Sequence, residues 1–146
     1  MNKPEENTLL ELTKESKIFL KEATNWAKFL AILGFIGVGF MVVVGLAFGS
    51  IISAFNPAMN DMPMPSFAFG FIYIIIAIIY FFPVLFLYRF VIHSQKALSL
   101  SDTGQLSEAF KNLKSHYQFI GILAIIFIGL YILGGLVLLG VFTFLK

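Results

Sequence analysis

Phe67 to Tyr88 reads FAFGFIYIIIAIIYFFPVLFLY, twenty-two residues without a charge, closed by Arg89. At a helical rise of about 1.5 Å per residue this run covers about 33 Å, close to a bilayer hydrocarbon core of about 30 Å. It predicts a membrane span. Two further uncharged runs flank it, Phe29 to Phe55 and Phe119 to Leu145. The expected fold is therefore all-α: a small polytopic bundle of three transmembrane helices in a single membrane domain, with the remaining chain forming caps, hairpin tips and tails.

Composition agrees. The chain has 146 residues, is 59% hydrophobic and only 12% charged, and contains no cysteine. That is too apolar for a soluble domain and leaves room for one small bundle. The absence of cysteine excludes disulfides and thiolate metal sites. A net charge of +2 is too small and dispersed for nucleic-acid binding, which needs a basic face able to displace several counterions. The first uncharged run begins only at Phe29, behind a segment mixing Glu and Lys evenly, so the first span is expected to act as a retained signal anchor.

Residues 5–28 predict an amphipathic helix. On a 100° wheel Lys14, Lys17, Lys21 and Lys28 share one shoulder and Glu11, Glu15 and Glu22 the other. Leu9, Leu12, Phe19, Leu20, Ala23, Trp26, Ala27 and Leu30 lie between them on the far side. The lysine shoulder suits lipid phosphates, and Trp26 sits beside the first span where an interfacial aromatic belongs. The alternative is that the same face packs on another part of this protein or on a second copy.

In the first span, residues 29–55, Gly45, Gly49 and Ser53 form two small-x-x-x-small steps. Such steps permit close helix approach, either to spans two and three or to a second copy. The loop at 56–66, NPAMNDMPMPS, holds three prolines that forbid a regular helix, no Lys or Arg, and the cluster Met59, Met62 and Met64. Thioethers are soft ligands for Cu(I), but no His or Cys accompanies them, and an apolar loop tip dipping into the interface is the more economical reading. No cofactor is expected. In span two, residues 67–88, Pro83 cannot donate to the carbonyl of Ile79 and is expected to bend the helix toward a neighbouring helix or a tyrosine hydroxyl.

The tip at 89–118 carries Arg89, Lys96, Lys111 and Lys114 against Asp102 and Glu108. Asp102, with Gln105 three residues on, resembles a capping box opening a second amphipathic helix, along which Leu106, Ala109, Phe110, Leu113 and Tyr117 recur at helical spacing. Glu108 is positioned to pair with Lys111. Phe19, Trp26, Leu106, Phe110 and Leu113 are the expected apolar contact of a two-helix cap. In the last span, residues 119–145, Gly134-Gly135 accommodates a bend or close crossing, and Thr143 is able to return its hydroxyl to its own helix.

Basic residues cluster before Lys28 and between Arg89 and Gln118. By the positive-inside rule both segments are cytoplasmic, and three spans then put Lys146 outside. No Asp, Glu, Lys, Arg or His lies within the three runs, which argues against coupled transport, proton relay and voltage sensing. His93 and His116 are too few for zinc and read as solvated. No nucleophile with a positioned base and no phosphate loop is visible.

Taken together, WAKFLAILGFIGVG (26–39), YFFPVLFLYRF (80–90) and ALSLSDTGQLSEAFKNLKSHYQFIGIL (97–123) resemble an uncharacterised family of small integral membrane proteins of Bacteroidetes-type bacteria, a domain of unknown function. The resemblance implies a bacterial inner-membrane location and carries no activity, ligand or site residue. The expected function is that of a non-enzymatic structural, scaffold or accessory subunit, whose partners are the bilayer and either a second copy or another membrane protein. An oligomeric pore or transport-related protein and an interfacial anionic-lipid-binding, membrane-shaping protein are the alternatives.

Overall fold

The computed structural model describes residues 12–55 and 66–144. They form three helices, α1 (Lys14–Phe55), α2 (Ser66–Leu100) and α3 (Thr103–Phe144). All three are long and apolar enough to cross a membrane. The residues 56–66 expected as a loop lie outside the described residues except Ser66, which opens α2.

The two amphipathic segments are not separate helices. Residues 14–28 are the first turns of α1, and residues 103–118 the first turns of α3. The backbone has no reason to stop at Lys28 or Gln118. Neither site holds a proline, a glycine or a competing cap, so the i to i−4 ladder runs on while side-chain character changes from charged to apolar. The change marks a change of solvent, not the end of an element. For the same reason α2 continues past Arg89 to Leu100, and the broad tip expected over 89–118 contracts to a tight turn at Ser101 and Asp102.

Helix ends are set by local chemistry. Thr13 caps α1, its Oγ1 accepting the Ser16 N–H at 3.1 Å. At the far end of α2, Ser101 takes the left-handed conformation (φ 52°) and the Asp102 N–H reaches back to the Ala97 carbonyl at 3.3 Å, a Schellman closure with serine in the seat glycine usually fills. Asp102 then caps α3, its Oδ1 accepting from Gly104 N at 2.7 Å and Gln105 N at 3.3 Å. One residue closes α2 and opens α3.

α2 is the central helix, packing on both α1 and α3. Its contact with α1 runs far along both. A Cβ on Gly34 would stand 2.7 Å from Val84 Cγ2, and one on Gly45 would stand 3.0 Å from the Gly70 carbonyl oxygen. These two glycines let the helices touch nearly backbone to backbone. Beside the Gly34 contact Phe35 packs across the same seam, its ring 5.9 Å from Phe81 and 5.7 Å from Tyr88.

Among the described residues the packing of α3 on α2 lies toward one end. Ala109 and Leu113 pack there with Phe90, Val91, Leu87, Ala27 and Leu20, the common core of all three helices. Among the described residues its outermost ring contact with α2 is Phe82 with Phe119, at 6.2 Å between centroids. From Ala124 to Leu139 every residue of α3 is exposed. The core therefore lies among Lys28, Arg89 and Lys111, at the charged end. Water drives burial there, whereas lipid offers apolar side chains no comparable incentive to leave it.

Candidate functional site

The junction of the three helices at the basic end is where polar side chains become specific. Thr24 and Ser94 are the buried polar residues among the described ones. Thr24 returns its hydroxyl to the Leu20 carbonyl at 2.7 Å, a bond that lets β-branched threonine sit inside a helix contact. Ser94 Oγ is buried without a hydrogen-bond partner. Small size is what this position requires, since Val91 and Ala97 on the same face are also buried.

Both histidines are engaged rather than solvated. His93 Nδ1 lies 2.8 Å from Gln105 Oε1, joining α2 to α3 just above the turn. Gln105 is thereby drawn away from the reciprocal bond of a capping box, so Asp102 caps alone. His116 Nδ1 lies 2.7 Å from the Pro83 carbonyl oxygen. A carbonyl only accepts, so Nδ1 carries the proton. This bond is a cross-helix tie at the level of the proline, and it engages the carbonyl of Pro83 itself, not that of Ile79. α2 remains helical through Pro83.

The expected cap contact is corrected. Leu113 does pack on the core and Leu106 is half-buried, but Phe19, Trp26 and Phe110 are exposed. The buried stripe of α1 is Leu20, Thr24, Ala27 and Ala31, roughly a quarter-turn round the helix from the face that large apolar residues mark. Small residues occupy it because they allow α1 to approach α2. Trp26 instead meets Phe29 edge-on at 6.3 Å on the outer surface.

Lys14, Lys17, Lys21 and Lys28 are all exposed. Because α1 is continuous through Lys28, its lysine shoulder belongs to the same helix as the apolar run that follows. Glu108 and Lys111 pair at 3.2 Å as expected, both solvated. Thr143 bonds the Gly140 carbonyl at 2.8 Å. Gly45 faces α2, while nothing is described of the side-chain surroundings of Gly49 and Ser53. Met59, Met62 and Met64 lie outside the described residues. Among the described residues no group of three or more His, Asp or Glu is placed to hold a metal ion.

Sequence reasoning missed Gly34 and both histidine ties. Gly34 lacks the four-residue partner that makes a small-residue step visible. The ties need the helix register, which only the tight turn at Ser101 defines. No protein-family model, curated protein or solved structure matches the chain.

Proposed function

We propose that this chain is a non-enzymatic integral protein of a bacterial inner membrane, N-terminus cytoplasmic and C-terminus outside, that serves as a structural, scaffold or accessory subunit of a membrane complex. One observation carries the reading. Among the described residues α3 meets its own chain at the basic end, and Ala124 to Leu139, about 24 Å of helix, is exposed and free for lipid or another protein's helices. A self-contained transporter would instead close its spans around a polar pathway, and the three runs hold no Asp, Glu, Lys, Arg or His to build one. The bacterial assignment rests on the family resemblance and the orientation on the distribution of Lys and Arg.

Purification in mild detergent from the native host, through a tag at the N-terminus, tests the reading. A stoichiometric membrane protein that co-purifies with wild type, and is lost when the exposed face of α3 is changed by Leu133→Trp and Leu136→Trp, is the expected result. Recovery of the chain alone under conditions that preserve other inner-membrane complexes would overturn it.

A further inference from the structure

The structure assigns to α3 a headgroup site for an anionic phospholipid, one helical turn long, formed by Lys114, Tyr117 and Gln118 and set deeper than the charges that close the apolar runs of α1 and α2. The helix register gives the depth. α3 runs antiparallel to α2, with His116 against the Pro83 carbonyl and Phe119 against Phe82. Lys114 therefore stands level with Leu85, and Gln118 with Phe81. α1 also runs antiparallel to α2, with Gly34 against Val84 and Phe35 against Phe81 and Tyr88. The charges that end the apolar runs of this pair, Lys28 and Arg89, flank Ala27 and Phe90 of the common core and so share one level. At about 1.5 Å per residue along α2, Lys114 lies about 6 Å deeper than Arg89, and Gln118 about 12 Å deeper. A polar turn of α3 is thus laid beside the apolar flank of its neighbour.

Much of the polar segment is satisfied within the protein. Asn112 donates to the Glu108 carbonyl at 2.8 Å, and Ser115 to the Lys111 carbonyl at 3.1 Å. Lys111 pairs with Glu108, and His116 with the Pro83 carbonyl. Lys114, Tyr117 and Gln118 are exposed, and among the described residues their polar ends have no hydrogen bond or ion pair within the chain. Spaced i, i+3 and i+4, the three share one side of the helix. A cation at membrane depth requires a counter-charge. The phosphate of a phospholipid supplies it, and ammonium, phenol and amide all donate to its oxygens. Lys114 reaches up toward the headgroups along its own alkyl stem, and the phosphate is drawn down to meet it. In phosphatidylcholine the choline already neutralises the phosphate, so a lipid of net negative charge is the better occupant.

Tryptophan quenching in the full chain tests the site. Trp26, the only tryptophan, is replaced by Phe, and Tyr117→Trp places at the site a reporter that keeps an N–H donor. Phe81→Trp, exposed on α2 at nearly the same level, is the comparison. Each protein is reconstituted in mixed phosphatidylcholine and phosphatidylglycerol vesicles in which one lipid or the other carries bromines on its chains. The ratio of quenching by the two lipids is taken within each variant, so a loss of insertion affects both alike. At position 117 phosphatidylglycerol is expected to be favoured about twofold or more, and at position 81 the ratio should be near one. Lys114→Gln should bring the ratio at 117 to near one, while Lys28→Gln leaves it unchanged. No preference at 117, an equal preference at 81, a preference that survives Lys114→Gln, or equal loss in Lys28→Gln would overturn the proposal. The assay uses only purified protein and lipid, so its failure would leave the accessory-subunit reading standing, and the absence of a co-purifying protein would leave the headgroup site standing.

Discussion

Removing the Phe90 side chain should open the three-helix junction, and the effect can be read through a thiol at Ser94. Phe90 is 4% exposed and packs with Ala27, Val91 and Ala109, with Leu20, Leu87 and Leu113 around them. Phe→Ala at a site of this kind costs about 3–5 kcal/mol, the lost transfer energy plus a cavity that three helices cannot fully close. Ser94 is an apt reporter position. Its hydroxyl is buried and unpartnered, so a nearly isosteric cysteine removes a desolvated polar group without removing a bond. In Ser94→Cys the only thiol of the protein is inside the junction, and a maleimide reaches it when the junction opens. If opening equilibrates faster than modification, Phe90→Ala should speed labelling by about a hundredfold or more, since about 1.4 kcal/mol is a factor of ten. Leu133→Ala, on the uncovered arm of α3, should leave the rate unchanged. Equal labelling rates in Phe90→Ala and the parent, or equal acceleration by Leu133→Ala, would refute the placement of the core at the basic end.

Other substitutions probe single contacts. Gly45→Leu drives a branched side chain into the Gly70 carbonyl and the Tyr73 and Ile74 side chains, and should part the outer halves of α1 and α2; a disulfide trap between cysteines placed on those halves should lose most of its yield. Ser101→Gly relieves a left-handed serine and should stabilise the α2–α3 turn by about 0.5–1 kcal/mol, measured as a higher melting temperature in detergent. Glu108→Ala removes only a solvated pair and should shift that melting temperature by less than its scatter, the pair being worth about 0.5 kcal/mol or less. Gln105→Leu breaks the tie to His93 while keeping the Asp102 cap, and should raise amide exchange at the start of α3 with little change in α1.

Three spans were legible because hydrocarbon imposes a length and forbids charge, and both constraints are written in composition. The cap at Asp102 and the Glu108–Lys111 pair were legible because they depend on neighbours within one turn. Continuity of α1 through Lys28 was not, since the eye takes a change from charged to apolar residues as a boundary while backbone hydrogen bonds ignore it. The face of α1 that packs was misread for a related reason. A search for hydrophobicity finds Phe19 and Trp26, whereas close packing selects Thr24, Ala27 and Ala31, whose value lies in being small. Phe110 was misplaced by the same preference, one position beyond the fully buried Ala109. The histidine ties were invisible because they join residues whose proximity is created by the fold.

The central claim is that three helices cross the bilayer, an odd number. Two single-cysteine variants in sealed inside-out and right-side-out vesicles test it, one at Lys14 and one appended after Lys146, each probed with a membrane-impermeant maleimide. Labelling of the two from opposite faces is the predicted result. Labelling of both from the same face would mean that one of the three helices does not cross, and the arrangement described here would be wrong.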